Sequence, residues 1–208
     1  MSKIPIKHPN GKLYCQLMEQ IKWRVDAVQE TARLVIKNEY YLGQVPAAEF
    51  CLLQLRFCCE LLAIGCIAIH TDVPQSTRLQ SMYQADLIMN AFEKLKPRFW
   101  PNPSKNPPPI NGVIYQDAIE GALTKPEMLK MYHLFGTLLH AGNFQRYAKP
   151  KSKTYDFKLL NEFVTKLIKL LNEHNYLMYD NLRMIQITMH YPTDGKVWLH
   201  EFEARPIV

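Results

Sequence analysis

The 208-residue sequence lacks the short motifs that mark most catalytic sites. It contains no phosphate-binding glycine loop, no HExxH zinc-protease helix and no GxSxG elbow of a serine hydrolase. It also has no CxxC pair, the close ligand spacing from which structural zinc sites are usually built. Because these motifs are absent, no common nucleotide-, zinc- or serine-dependent enzyme class is indicated, and we predict no bound cofactor.

Cysteine is present but does not indicate a disulfide framework. The count of five is odd, and four of the five fall on one predicted helix, where they cannot bridge one another. The first twelve residues contain two prolines and a glycine but no apolar run, so we expect a short extended arm and no targeting segment. These features favour a reducing compartment, and we predict a cytoplasmic protein.

Size and charge are compatible with one domain and a phosphate-bearing partner. A chain of 208 residues with 48% hydrophobic content buries a substantial core, so we predict a single domain over residues 1–208. The net charge of +6 and the pI near 9.0 favour polyanions only mildly, because excess Lys and Arg raise their local concentration.

The most apolar stretch, residues 46–70, predicts a central buried helix. Its charged residues Glu49, Arg56 and Glu60 recur along one stripe, and we expect a later helix to cover the Arg56 side and leave most of residues 61–69 without solvent contact. A membrane span needs about 20 mostly apolar residues, and Arg56 and Glu60 interrupt the run. We therefore predict a core helix and no membrane partner.

The remaining pattern predicts a mainly α fold of the α+β type, an antiparallel bundle of about five helices with a C-terminal β-hairpin. The helical core spans residues 12–175, and a proline-rich loop at 97–109 excludes regular helix or central strand. The hairpin covers 182–204, with a possible third strand at 113–115. The other predicted helices cover 12–38, 76–96, 124–140 with a Thr124–Glu127 capping box, and a segment that begins at Thr154 or Asp156.

One candidate site lies at the end of the capped helix. Small and polar residues recur there at helical spacing, namely His133, Gly136, Thr137 and His140. Beyond the helix an amide, a cation and a phenol follow, namely Asn143, Arg146 and Tyr147. A histidine base beside such donors is suited to acid–base chemistry on a phosphodiester. The alternative is that His133 and His140 are exposed or hydrogen-bonded structural histidines.

Two further groups on the central helix have functional alternatives. Arg56 and Glu60 stand at i and i+4, which suits a helix–helix salt bridge or, if Arg56 faces the same cleft as His140, an anion site. Cys59, Cys66 and His70 share one face, but their spacing is not that of a zinc knuckle, so we predict no metal site.

The predicted helices, with a charge pair on an inner helix and a histidine near the end of a later one, resemble the HEPN domains of prokaryotic RNases, toxins and phage-defence proteins. The HEPN signature is Arg, four to six residues, then His. Its formal match here is Arg183 and His190 with six residues between, and near His140 the order is inverted to His140 and then Arg146. The match at Arg183 falls in a predicted strand.

The resemblance implies RNA binding or metal-independent RNA cleavage, and commonly a homodimer. By analogy, His140, Arg56 and Glu60 would be catalytic, and the phosphate contacts would come from His133, Asn143, Arg146 and Tyr147. Exposed Tyr and Met side chains on the third helix would supply the dimer surface. The alternative function is a non-catalytic helical interaction module in which the same residues form salt bridges and caps.

Overall fold

A computed structural model of the chain describes residues 8–105, 117–140 and 155–203. Within these ranges the chain forms five α-helices, one short 3₁₀ helix and five strands. The helices are α1 Gly11–Ile36, α2 Gln44–Ile69, α3 Ala85–Leu95, α4 Lys125–Leu139 and α5 Phe157–Leu171, with the 3₁₀ helix at Ser76–Leu79. The strands are β1 Asn102–Lys105, β2 Asp117–Ala118, β3 Glu173–Leu177, β4 Arg183–Thr188 and β5 Trp198–Glu203. The predicted mainly α fold with β structure near the C-terminus is confirmed.

The helix α2 lies at the centre of the core and packs against α1 along its length. A Cβ atom at Gly65 would lie 3.2 Å from both Tyr14 Cε2 and Met18 Cε, so the glycine allows α1 to approach closely. Further along α1, Arg24 donates to Gln54 of α2. Contacts at higher residue numbers on α1 thus fall at lower residue numbers on α2. The two helices are therefore antiparallel, as predicted.

The expectation that most of residues 61–69 of α2 are buried is confirmed, with two exceptions. Leu62 is fully buried, but Ile64 is 37% exposed and Leu61 is half-buried, because this side of the helix turns away from its packing partners. The length argument against a membrane span is wrong, since α2 is the one helix among the described residues that is long and apolar enough to cross a membrane. Of its most apolar window, 67% is buried inside the fold, as in the core helix of a globular domain.

The third predicted helix is much shorter than expected. Residues 76–79 form a 3₁₀ turn, and α3 begins only at Ala85. The 3₁₀ turn buries its first and last residues, Ser76 and Leu79, whereas Tyr83, just before α3, is 79% exposed. Between the turn and α3 few side chains contact the core, so a continuous helix would be poorly stabilised there, which accounts for the late start.

The predicted starts of α4 and α5 are confirmed. The Thr124 side chain accepts from the Glu127 amide, and the Glu127 carboxylate accepts from the Thr124 amide, which completes the capping box. At α5 the cap is Asp156, whose carboxylate accepts from the amides of Lys158 and Leu159. Thr154, the other candidate for this cap, lies outside the described residues.

The sheet is antiparallel in the order β2-β1-β3-β4-β5, and it is larger than the predicted hairpin. The hairpin itself, β4 with β5, is confirmed. Strand β3 was missed, because the helical core was extended to residue 175 although α5 ends at Leu171. The possible strand at 113–115 lies outside the described residues.

Strand β1 corrects the prediction that the proline-rich loop excludes a central strand. Asn102 and Pro103 pair with β3, while Ser104 and Lys105 pair with β2. Because the two ladders use different halves of the strand, Pro103 does not need an amide donor on both sides. A proline is therefore tolerated between two strands.

On β4 and at the start of β5, side chains alternate between a buried inner face and a half-exposed outer face, whereas Asn175 on the outer face of β3 is buried as well. The inner face packs on α1 and α2. Tyr14 of α1 places its hydroxyl 2.6 Å from His174 Nε2 and 3.1 Å from the Tyr176 hydroxyl. Ile185, Ile187 and Leu199 continue this buried face on β4 and β5.

Candidate functional site

Arg56 forms a closed cluster with Tyr132 and Glu60 between α2 and α4. Its guanidinium carbon lies 4.1 Å from the centre of the Tyr132 ring, and its Nη2 donates to the Tyr132 hydroxyl at 2.9 Å. Its Nη1 donates to the Tyr132 carbonyl oxygen, and its Nε lies 3.3 Å from Glu60. The Tyr132 hydroxyl in turn donates to Glu60. The expected cover of Arg56 by the capped helix is confirmed: the salt bridge lies within α2, and hydrogen bonds and a ring contact join it to Tyr132 of α4.

Gly136 is required for that cluster. A Cβ atom at this position would lie 2.5 Å from Arg56 Nη1, so any side chain would push the guanidinium off α4. The Arg56 guanidinium therefore occupies the space that the glycine leaves beside α4.

The two histidines of α4 lie on its exposed side. His133 Nε2 is 3.8 Å from an Asp86 carboxylate oxygen of α3. His140 caps the C-terminus of α4, and its backbone amide donates to the Gly136 carbonyl oxygen at 3.1 Å. The other predicted phosphate contacts, Asn143, Arg146 and Tyr147, lie outside the described residues.

The third candidate group, which consists of Cys59, Cys66 and His70, is buried in the core. His70 Nε2 lies 3.0 Å from the Phe99 carbonyl oxygen and Nδ1 lies 3.3 Å from Lys96 Nζ, so both ring nitrogens have partners. Burial lowers the pKa of His70 to about 3 and raises the pKa of Cys66 to about 12. Cys59 is also buried, and burial raises the pKa of its thiol well above the usual value. No cluster of three His, Cys, Asp or Glu side chains in the described part of the chain is arranged to hold a metal ion.

A partly buried polar cluster surrounds Arg183. The guanidinium lies 2.7 Å from Asp180, 3.5 Å from Glu201 and 3.9 Å from Asp72. Among the described residues, His8 Nε2, Asp72 Oδ1 and Glu201 Oε2 are buried without a hydrogen-bond partner. Arg183, the arginine of the formal HEPN match, is therefore surrounded by carboxylates. Asp180 is close to it in the sequence, but Asp72 and Glu201 are distant, which is why no local pattern indicated the cluster.

The outer face of the sheet carries a row of hydrogen-bonding side chains. Strand register places Asn102 beside Asn175, Asn175 beside Gln186, and Gln186 beside His200. These four residues, here called the amide row, cross four neighbouring strands. Asn175 Nδ2 donates to the Ser104 hydroxyl at 2.8 Å, which fixes the orientation of that amide. Asn175 itself is buried, so the accessible donors and acceptors of the row are those of Asn102, Gln186 and His200.

Aromatic rings line one end of this face. They are Tyr191, Trp198, His200 and Phe202, here called the aromatic edge, and all four are half-exposed. The rings of Tyr191 and Trp198 stack at 4.3 Å with an interplanar angle of 22°. Trp198 and His200 are also nearly parallel, at 6.0 Å. Burial lowers the pKa of His200, which favours the neutral imidazole.

A groove of about 500 Å³ opens at the opposite end of the amide row. It is lined by Arg98, Trp100, Pro101, Asn102, Pro103, Asn175, Leu177 and Met184. Trp100 donates from Nε1 to the Leu123 carbonyl oxygen at 3.2 Å, which holds its ring in place. Arg98 is exposed, and within the described residues no ion pair engages its guanidinium. The outer face thus combines flat rings, amides and a cation.

Comparison of the chain with protein-family models, curated proteins and solved structures gives no match. The HEPN resemblance therefore stays a prediction, and function has to be argued from the geometry itself.

Proposed function

We propose that this protein binds single-stranded RNA on the outer face of its sheet. The observation that carries the proposal is that Gln186, the half-exposed amide of the row, lies directly beside His200 of the aromatic edge. Bases of a single strand stack on flat rings and offer their edges to amide donors and acceptors, whereas the bases of a duplex are already paired and stacked.

The aromatic rings of β5 lie on the outer face at every second residue, where the bases of a single strand can stack on them. Trp198 and Phe202 stand on one strand with His200 between them, so their side chains point the same way along β5. Gln186 lies directly beside His200, within reach of the edge of a base stacked at this position. Base–aromatic stacking contributes roughly 1–3 kcal/mol for each base.

Charge supplies the phosphate contacts. Arg98 projects from the groove beside Asn102, and the chain as a whole carries a net charge of +6. Phosphate contacts of this kind fix the position of a strand without reading its sequence, and they weaken as salt rises. We expect the affinity to fall with salt more gently than for a strongly basic protein.

Cleavage by His140 would require a separate site. Helix α4 begins next to Leu123, whose carbonyl holds Trp100, and its 15 residues carry His140 away from this end. A helix of that length measures about 22 Å, so His140 is too far from the groove to act on RNA bound there. Metal-independent ribonuclease activity at His140 stays a second prediction, based on the exposure of this imidazole at a helix end.

The proposal is tested by fluorescence anisotropy with a labelled 12-nucleotide single-stranded RNA. Trp198→Ala should weaken binding about 10-fold or more, because it removes one stacking ring. Tyr83→Ala, which removes an exposed aromatic away from the sheet, should leave the affinity unchanged. Equal losses in the two variants, or no RNA binding by the wild type at low salt, would refute the proposal.

A single-stranded DNA of the same sequence and an RNA hairpin complete the experiment. Tighter binding of the single-stranded RNA than of the hairpin supports recognition of unpaired bases. In the same samples, gel analysis of the RNA after incubation with the wild type and His140→Ala shows whether cleavage occurs. Loss of cleavage with unchanged binding in His140→Ala would place the two functions in separate sites.

A further inference from the structure

The solvent-facing side of α2 is an apolar ridge formed by Phe50, Leu53, Phe57 and Ile64. Each of these side chains is 37–38% exposed. Their spacing of three, four and seven residues places them on one face of the helix. Next to the ridge, Trp23 of α1 is 52% exposed and enlarges the same apolar surface.

An arginine of α1 lies against two rings at the ridge. The guanidinium carbon of Arg24 lies 4.4 Å from the Trp23 ring centre and 4.7 Å from the Phe57 ring centre. Its Nη1 donates to the Gln54 side-chain oxygen at 2.5 Å, and its Nε is buried with no hydrogen-bond partner among the described residues. The half-buried Arg24 therefore stabilises the two rings by cation–π contact.

We propose that a second copy of this chain docks on the ridge across a two-fold axis at Phe57. The spacing of the ridge is symmetric about that residue. Phe50 and Ile64 lie seven residues to either side, and Leu53 and the half-buried Leu61 lie four residues to either side. Two antiparallel α2 helices therefore pair Phe57 with Phe57, Leu53 with Leu61 and Phe50 with Ile64. Such self-complementarity is what an isologous interface requires.

The available area suits a dimer of moderate affinity. With fully exposed side chains of roughly 150–250 Å² each, the exposed fractions give about 400 Å² of apolar surface per protomer. The two copies together bury about 800 Å² from these residues, and the surrounding rim raises the total toward the lower end of about 1,200 Å² for specific interfaces. Aromatic rings and an arginine at the centre are also the residue types that dominate interface energetics.

This interface is independent of RNA binding, since the ridge and the outer face of the sheet share no residue. It also differs from the third-helix surface that the sequence suggested for a dimer. Leu87 of α3 is 48% exposed and serves as the matched control for a change on the ridge.

Sedimentation velocity measures the association of the wild type, Phe57→Asp and Leu87→Asp over 1–200 µM protein. The wild type and Leu87→Asp should dimerise, whereas Phe57→Asp should weaken dimerisation at least 100-fold, because two like charges would face each other on the axis. Thermal melting by circular dichroism establishes that each variant is folded. A monomeric wild type, or an unchanged dimer in Phe57→Asp, would overturn the proposal.

A second measurement tests the symmetry without destabilising the fold. Phe57→Cys should form an intermolecular disulfide on mild oxidation, because the two copies of residue 57 meet on the axis. Leu87→Cys should not. Cross-linking at residue 87 alone, or binding of a monomeric wild type to neutral phosphatidylcholine vesicles, would contradict a protein–protein interface on the ridge.

Discussion

The α2 ridge and the outer face of the sheet are both half-exposed surfaces, but they offer opposite chemistry. The helical period of 3.6 gathers apolar side chains of α2 into one continuous stripe. On the sheet, the period of two and the strand register assemble rows from several strands, so amides and aromatic rings alternate over a small area. The comparison indicates that one surface suits an apolar, self-complementary partner and the other suits a ligand with flat rings and polar edges.

The largest expected effect is the difference in stability between a substitution on the buried side of α2 and one on its exposed side. Leu62→Asp places a carboxylate in the core, where no partner compensates it, and should unfold the protein. Ile64→Asp, two residues further, places the same group on the ridge and should cost only about 1–2 kcal/mol, because the carboxylate can reach solvent there. Urea denaturation followed by circular dichroism compares the two variants. A soluble Leu62→Asp variant with a normal midpoint would disprove the core assignment.

Two buried histidines, His70 and His174, should make stability fall in acid. Burial lowers the pKa of His174 to about 4 and that of His70 to about 3, whereas both titrate near 6.5 when unfolded. Below pH 6.5 the unfolded chain therefore binds more protons, and stability is lost as pH falls. Between pH 6.5 and 5.0 the two groups together should cost on the order of 3 kcal/mol.

This pH dependence is measured by urea denaturation at pH 7.5, 6.5, 5.5 and 5.0. His174→Gln should reduce the slope, because it removes one of the two buried imidazoles. A midpoint that stays constant from pH 7.5 to 5.0 would show that His70 and His174 are not buried as neutral groups.

The Arg56 cluster provides a smaller effect that tests its role. Arg56→Ala removes the cation from the half-buried Glu60 and the ring contact with Tyr132, and should cost about 2–3 kcal/mol. RNA affinity should not change, because the guanidinium is occupied by protein groups. A folded, fully stable Arg56→Ala variant that binds RNA more weakly would show instead that Arg56 is a phosphate contact.

The smallest expected effect is at the start of α4. Thr124→Ala removes a hydroxyl that caps the helix in the structure, and should cost about 1 kcal/mol. Neither RNA affinity nor dimerisation should change, since Thr124 lies on neither surface. On the same sample, thermal melting measures the stability, fluorescence anisotropy the RNA affinity and sedimentation velocity the dimerisation.

The helices could be predicted because their signals are local. The apolar run of α2, the capping box at Thr124 and the cap at Asp156 each identify an element within a few residues. Strand β3 could not be recognised in the same way, because Glu-His-Asn-Tyr-Leu follows a helix directly and buries polar side chains. The burial of His174 depends on Tyr14, a residue 160 positions away.

Less of the candidate surfaces than of the fold could be predicted from the sequence. The Arg56–Glu60 pair was visible as an i,i+4 spacing, but its partner Tyr132 and the close approach at Gly136 depend on how α4 docks on α2. The amide row joins Asn102 to residues more than 70 positions away through strand register. A single sequence does not specify that register.

The central claim is that single-stranded RNA binds to the outer face of the sheet. It is tested most directly by photo-cross-linking of a single-stranded RNA that contains 4-thiouridine. Peptides joined to RNA are identified by mass spectrometry. The account predicts cross-links at Tyr191, Trp198 or Phe202 of the aromatic edge and at Trp100 of the groove. Cross-links confined to α4 and the segment that follows His140, with none on the sheet, would contradict it.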